Sequence, residues 1–159
     1  MLKVGKEFLP SHSYWQKLRG SDKGLLYSTW IILEGDKKMK IFSSEEFIKM
    51  KNPNPSKPYQ PDALTQEDRA KELGGLFSLL GPGSRVPYHY HNNRESIIII
   101  ISGEATEIVE GKEVPIKAGD IVYLPAGERH ATVNTSDNDV RYFEFFTWPP
   151  RQADFVEVK

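Results

Sequence analysis

Two histidines lie one residue apart in the stretch PYHYHNNRESI, residues 87–97, and a glutamate follows four positions after the second. Alternate residues of a β-strand point to the same face, so His89 and His91 would present both imidazoles to one side. With the carboxylate of Glu95 they would supply most of a site for a divalent transition metal. The residues alone leave open an alternative, a solvent-facing strand end that contains histidine without binding an ion.

A third histidine, His130, follows a turn sequence that contains Pro125 and Gly127. Three of the four histidines therefore fall in one region of the chain, each after a turn that contains glycine or proline. Scarce, chemically capable residues near strand starts are the pattern that a shared site requires. We interpret the fourth histidine, His12, as a surface residue, because no motif surrounds it.

These residues resemble the two sequence motifs of the cupin superfamily. The first motif corresponds to Gly83, His89, His91, Glu95 and Gly103, and the second to Gly119, Pro125, Gly127, His130 and Asn134. The second motif matches at every spacing. The first departs once, because seven residues rather than six separate Glu95 from Gly103, and this departure predicts a bulge in the isoleucine strand at residues 97–101.

The resemblance covers residues 76–148 and implies an all-β fold, the double-stranded β-helix or jelly-roll barrel. It implies that four side chains bind one divalent transition metal inside the barrel: His89, His91, Glu95 and His130. Imidazole and carboxylate ligands suit Fe, Mn, Ni, Zn, Co or Cu. We interpret the motif glycines and proline as turn formers, and Asn134 as a structural hydrogen-bonding residue.

The strand pattern agrees with a barrel. Turn signals recur about every eight to twelve residues over 76–148, which is typical of an all-β sandwich or barrel. The predicted strands are 76–80, 88–91, 95–102, 106–109, 113–116, 121–124, 131–134 and 140–147.

The remaining segments are predicted to form one domain with the barrel. Residues 1–38 form an arm with a strand at 25–33 that packs on the barrel or on a partner chain, and a short strand returns at 39–42. Residues 39–75 form a connector with two short helices, 43–50 and 65–73, the first opened by Ser43 as N-cap and the second ended by Gly74-Gly75. We expect the second helix to cover a sheet edge, with a lid over the substrate as the alternative. Residues 149–159 form a tail.

Several polar side chains close to the motifs in sequence are candidates for the surroundings of the metal: Arg85, Tyr88, Tyr90, Arg94, Tyr123, Arg141, Tyr142 and Glu144. Strand alternation places Tyr88 and Tyr90 opposite the histidines. It places Tyr142 and Glu144 on one face of the last strand, with Arg141 on the other. The sequence does not decide which of these two faces points inward.

Composition excludes several classes of function. Lysine and arginine number 21 against 22 aspartates and glutamates, and no basic stripe is present, which argues against a nucleic-acid partner. The chain has no cysteine, so disulfides, thiolate zinc sites and cysteine nucleophiles are excluded. The longest apolar run, Ile97–Ile101, is too short to span a bilayer, and the first ten residues lack the apolar core of a signal peptide. We therefore expect a cytoplasmic protein without a membrane partner.

The resemblance favours a metal-dependent enzyme that acts on a small molecule, of the dioxygenase, isomerase, lyase or decarboxylase type. The alternative is a non-catalytic cupin that binds a small metabolite as a sensor or carrier. A structural, storage-type cupin is the third interpretation. We expect a homodimer, with the arm at 1–38 pairing through its strand.

Overall fold

Two five-stranded antiparallel sheets form the core of the protein, a double-stranded β-helix as predicted. The computed structural model describes residues 29–32, 38–148 and 150–159. His12 and most of the predicted arm at 1–38 therefore lie outside the described residues, and Thr29–Ile32 is the part of the predicted 25–33 strand that falls within them. No helix in the described ranges is long and apolar enough to cross a membrane.

The strands, in chain order, are β1 (Thr29–Ile32), β2 (Lys38–Ile41), β3 (Asp62–Leu64), β4 (Leu73–Leu80), β5 (His89–Tyr90), β6 (Ser96–Ser102), β7 (Glu104–Val109), β8 (Lys112–Lys117), β9 (Ile121–Leu124), β10 (His130–Val133), β11 (Val140–Thr147) and β12 (Val156–Glu157). One α-helix, α1 (Ser44–Lys49), and two 3₁₀ turns (Gln66–Asp68 and Arg151–Asp154) complete the described elements. One sheet has the order β12-β5-β10-β7-β8, the other the order β3-β4-β11-β6-β9, and β1 pairs with β2.

The second sheet is largely buried on both faces along its strands β4 and β11. Its inner face carries alternate residues of β6 and β11, among them Ile98, Ile100 and Tyr142, into the core of the barrel. Its outer face packs against α1 and the connector through Phe47, Phe77 and other aromatic residues. The rings of Phe47 and Phe77 lie 4.0 Å apart between centroids. Strand alternation thus divides the isoleucine run between two apolar clusters, with Ile98 and Ile100 in the inner one and Ile99 and Ile101 in the outer one.

The first predicted helix is confirmed, and the second is wrong. Ser43 caps α1, since its hydroxyl accepts a hydrogen bond from the Glu46 N–H at 3.3 Å. The segment 65–73 instead forms a single 3₁₀ turn and then enters β4. Gly74 and Gly75 lie within that strand, where a side chain at Gly74 would collide with the Phe146 ring of β11. These glycines permit a close approach of two strands and do not end a helix.

The predicted bulge in the isoleucine strand is confirmed. Arg141 of β11 pairs with Ser102, and the next residue, Tyr142, pairs with Ile100, so Ile101 is the extra residue of β6. The irregularity follows Ile100. It therefore leaves the alternation of residues 96–100 intact, with Ser96, Ile98 and Ile100 on the inner face.

Candidate metal centre

Three histidines from two neighbouring strands meet at one end of the barrel. His130, the first residue of β10, pairs directly with His89 of β5. His91 follows β5, and its ring lies 4.8 Å from that of His89 and 5.6 Å from that of His130, measured between centroids. One nitrogen of each ring lies within 4.8 Å of the others, and all three residues are buried. This grouping is the one that can hold a metal ion among the described residues.

Backbone carbonyls fix the tautomer of all three rings. The Nδ1 atom lies 2.7 Å from the Pro87 oxygen in His89, 2.6 Å from the Asp154 oxygen in His91, and 3.0 Å from the Glu128 oxygen in His130. A carbonyl oxygen can only accept, so each neutral ring carries its proton on Nδ1 and keeps the lone pair on Nε2. Holding the other ring nitrogen in this way is the usual means of orienting an imidazole toward a metal.

The three imidazoles are neutral at physiological pH. Burial lowers the pKa of His89 to about 3 and that of His91 to about 4, because the charged form loses its hydration. Burial also lowers the pKa of His130. Since only a neutral imidazole can ligate a metal, no proton has to leave these rings before an ion binds at pH 7.

Glu95, the fourth ligand predicted from the motif, is not part of this grouping. It precedes β6 on the outer face, its side chain is exposed, and its carboxylate accepts a hydrogen bond from the Tyr123 hydroxyl at 3.0 Å. The structure therefore brings together His89, His91 and His130, and leaves Glu95 on the opposite side of the strand.

The inward position next to Glu95 belongs to Ser96, which is 2% exposed. Four residues separate Ser96 from His91 and six separate it from Gly103, so Ser96 satisfies the motif spacing that Glu95 misses by one. A shift of one residue along a strand moves a side chain to the other face. The seven-residue interval thus signals an irregularity in β6, but it does not show which residue takes the inward position.

Glu144 of β11 brings a carboxylate into the barrel. Strand alternation points it inward together with Tyr142, which settles the face that the sequence left open. Its Oε1 accepts a hydrogen bond from the Ser96 hydroxyl at 2.8 Å and lies 3.9 Å from an Arg94 guanidinium nitrogen. Arg94 is itself buried, with its guanidinium carbon 4.4 Å from the centre of the Phe146 ring.

A second buried carboxyl, Glu107 of β7, lies across from Thr132 of β10. It is 1% exposed, and neither of its oxygens has a hydrogen-bond partner among the described residues. Burial raises its pKa to about 7, against the opposing effect of the Thr132 hydroxyl, and the nearby negative charge of Glu144 acts in the same direction as burial. Nothing in the sequence motifs marks this residue.

The C-terminal residues 150–158, here called the C-terminal strap, close the side of the site. The Asp154 carboxylate accepts three backbone N–H groups, those of residues 92–94, at 2.7–3.1 Å. The Phe155 ring stacks on His89 with centroids 4.2 Å apart, and β12 pairs with β5. The sequence-based description of 149–159 as a tail missed this role, because Asp154 and its partners lie about 60 residues apart in the chain.

A cavity of about 230 Å³ opens beside the histidines. Its walls come from both sheets, the connector and the C-terminal strap: Gln60, Leu76, Val86, His89, Ile98, His130, Thr132, Tyr142, Glu144, Arg151, Gln152 and Phe155. The lining is thus apolar on several sides, with two carboxamides, one guanidinium and one carboxylate placed among the apolar groups. This composition is typical of a pocket for a small organic ligand.

Two of the eight neighbouring residues chosen from the sequence, Tyr142 and Glu144, line this cavity. An Arg94 guanidinium nitrogen lies 3.9 Å from the Glu144 carboxylate, and Arg141 forms an ion pair with Asp139 at 3.0 Å. Asn134 is fully buried and donates to the carbonyls of Leu80 and Asn138, the structural role expected for it.

Comparison with known proteins identifies the fold family. The family model described as "Cupin domain" matches residues 76–146. The chain is 41% identical over 63 residues to an oxalate-binding protein of Thermotoga maritima, covering 40% of this chain and 52% of that protein. It is 27% identical over 108 residues to a glucose-6-phosphate isomerase of Pyrococcus abyssi, covering 60% and 56%. The chain thus spans about half the length of these curated relatives.

Solved structures agree with this assignment. An uncharacterized conserved protein with a double-stranded β-helix domain from Klebsiella pneumoniae superposes with a TM-score of 0.62 at 23% identity, covering 75% of this chain and 96% of that one. A predicted oxalate decarboxylase from Thermotoga maritima gives a TM-score of 0.54 at 31% identity, covering 58% and 81%. The first similarity, at 23% identity, supports the fold alone. The second shows the same fold in a protein whose sequence is 31% identical to this chain.

Proposed function

Because the chain belongs to the cupin superfamily, we propose that it binds one divalent transition metal through His89, His91 and His130 and acts on a small organic molecule. The observation that carries this proposal is the group of three buried, neutral imidazoles whose Nδ1 atoms are all held by backbone carbonyls. Such a donor set suits Fe²⁺, Mn²⁺, Ni²⁺, Zn²⁺, Co²⁺ or Cu²⁺ and fits Ca²⁺ poorly.

The cavity supports a substrate of only a few carbon atoms. Its volume, about 230 Å³, lies below the usual range for ligand pockets, roughly 300–1,000 Å³. A bound metal would supply Lewis-acid polarisation of a ligand oxygen. The chain would contribute orientation through Arg151, Gln60 and Gln152, and exclusion of water through Val86 and Phe155.

We propose a small carboxylate as the substrate class. Arg151 lines the cavity, and its guanidinium, which donates to the Gln60 carbonyl at 3.2 Å, would pair with an anionic group. A curated relative and a solved structure, both from Thermotoga maritima, are named for oxalate. The reaction would be of the oxidoreductase, lyase or isomerase type, the classes that cupins with such a centre carry out.

A non-catalytic binding protein is the second candidate. It is favoured by one specific observation, the name of the 41% identical relative, which is an oxalate-binding protein. Both candidates need the same metal centre, and they differ in whether the bound molecule is converted.

Metal analysis of protein purified without a tag or chelator tests the proposal, with His130→Ala as the matched variant. We expect close to one equivalent of a transition metal in the wild type and almost none in the variant. Oxalate and glucose 6-phosphate are then added to the metal-loaded protein, followed by calorimetry for binding and NMR for conversion. A wild type that binds no metal even after reconstitution refutes the proposal, and binding without conversion favours the second candidate.

A homodimer and a cytoplasmic location stay predictions. Ile121 and Tyr123 on the edge strand β9 are 69% and 57% exposed, which is compatible with an interface between two copies. Light scattering on the purified full chain would give the mass of the assembly, and a monomer would rule out the dimer.

A further inference from the structure

We propose that Glu144 of β11 supplies the carboxylate of the metal centre, in place of the motif glutamate Glu95. This inference rests on the metal centre proposed above. It concerns a residue outside both sequence motifs, on a strand that contributes none of the three histidines.

The location of Glu144 is the first observation in its favour. It is 8% exposed and lines the same cavity as His89 and His130. Glu95 is exposed on the other side of β6, where it holds the Tyr123 hydroxyl. The Glu144 carboxylate lies outside the group of three histidines, but of the two glutamates it is the one on the cavity that the histidines line.

The support around Glu144 is the second observation. Its hydrogen bond with Ser96 and its ion pair with Arg94 both involve Oε1. Oε2 takes part in neither of these two contacts. Arg94 packs over the Phe146 ring and donates a hydrogen bond to the Arg151 carbonyl. These contacts hold the guanidinium that faces the Glu144 carboxylate in one position. A carboxylate anchored through one oxygen is oriented at little further entropic cost.

Ser96 explains why the carboxylate comes from a different strand. It occupies the inward position at which the motif spacing places a ligand, but a serine hydroxyl is a poor ligand for these metals. Its hydroxyl instead donates to Glu144. In this chain the motif's ligand position therefore holds a residue that anchors a carboxylate on the neighbouring strand β11.

A carboxylate here also balances charge. Three neutral imidazoles leave the full double positive charge of an ion uncompensated in a buried site, and an anion nearby offsets it. Glu144 would do so by accepting a hydrogen bond from a water molecule or a ligand hydroxyl on the ion. Residues of this kind typically change metal affinity by a factor of roughly 10 to 100.

The test measures the affinity of metal-free protein for Co²⁺ and Zn²⁺ at pH 7, by competition with a chromophoric chelator. Three variants are compared with the wild type: Glu144→Gln, Glu95→Gln and Ser96→Ala. We expect about 10- to 100-fold weaker binding for Glu144→Gln, within about twofold of wild type for Glu95→Gln, and an intermediate loss for Ser96→Ala. The visible Co²⁺ spectrum should change in Glu144→Gln and stay as in the wild type in Glu95→Gln.

Three results separate the possibilities. A large loss in Glu95→Gln with none in Glu144→Gln overturns the inference and restores the motif glutamate as the ligand. A wild type that binds metal, with both glutamine variants unchanged, overturns the inference and leaves the proposed function standing. A wild type that binds no metal overturns both. If Glu144→Gln does not fold, because Arg94 loses its partner, Glu144→Asp keeps the charge and withdraws the carboxylate, and it should show the same weakened binding and altered spectrum.

Discussion

Replacing Glu107 with glutamine should change how the stability of the protein depends on pH. The carboxyl group is 1% exposed and has no hydrogen-bond partner among the described residues, so its ionised form is destabilised by the loss of hydration. Glutamine has almost the same shape but cannot ionise. The substitution therefore removes the titration and keeps the packing.

The size of the effect follows from the raised pKa. Burial moves the pKa of Glu107 from its ordinary 4.5 to about 7 in the folded state. A difference of one pKa unit between the folded and unfolded states corresponds to about 1.4 kcal/mol in the free energy of unfolding. The shift of Glu107 therefore corresponds to roughly 3 kcal/mol. A carboxyl with a raised folded pKa contributes stability that is fully present below pH 4.5 and is lost as the pH rises through about 7.

Urea unfolding of the metal-free protein between pH 5 and 8, with a chelator present, measures this contribution. The free energy of unfolding of the wild type minus that of Glu107→Gln should fall by about 2–3 kcal/mol over this range. The buried histidines titrate in both proteins and cancel in the difference. Glu113→Gln, an exposed glutamate on β8, is the control and should run parallel to the wild type. A Glu107→Gln difference that stays flat within about 1 kcal/mol refutes the reasoning.

Four further substitutions give separate predictions. His130→Ala should reduce metal content from one equivalent to almost none with an unchanged circular dichroism spectrum, and retention of metal would contradict the three-histidine centre. Asp154→Ala removes the acceptor of three backbone N–H groups and should cost about 2 kcal/mol or more in urea unfolding, with faster proteolysis of the C-terminal strap. Phe155→Ala should speed the loss of metal to a chelator, since its ring covers His89, and should change stability by less than about 1 kcal/mol because Phe155 is 41% exposed. Gly103→Ala should cost more than about 1 kcal/mol, because φ is +81° and the new Cβ would lie 2.5 Å from the Asp139 carbonyl oxygen; an unfolding midpoint equal to wild type would contradict this.

The barrel and the three histidines were predictable because the signals are local. Short strands between turn residues define the sheets, and His89, His91 and His130 each follow a turn that the sequence shows directly. The bulge in β6 was also predictable, since it appears as a spacing. Local patterns of this kind do not depend on which strands become neighbours.

The carboxylate was not predictable in the same way. Whether Glu95 or Ser96 faces inward depends on the register of β6 against β11, which is a non-local pairing. The inward face of β11 was ambiguous for the same reason, because Tyr142 and Arg141 are each compatible with either face. Gly74 and Gly75 looked like a helix stop until their contact with Phe146 and Phe145 placed them within a strand.

The C-terminal strap has a practical consequence for anyone who expresses this protein. Lys159 follows Phe155 by four residues, so any residue fused after it lies within roughly 18 Å of the backbone of Phe155, whose ring covers His89. An oligohistidine tag there would bring competing imidazoles to the metal centre, and a bulky fusion partner would strain the pairing of β12 with β5. Metal stoichiometry and ligand affinity are therefore best measured on protein that has no C-terminal extension.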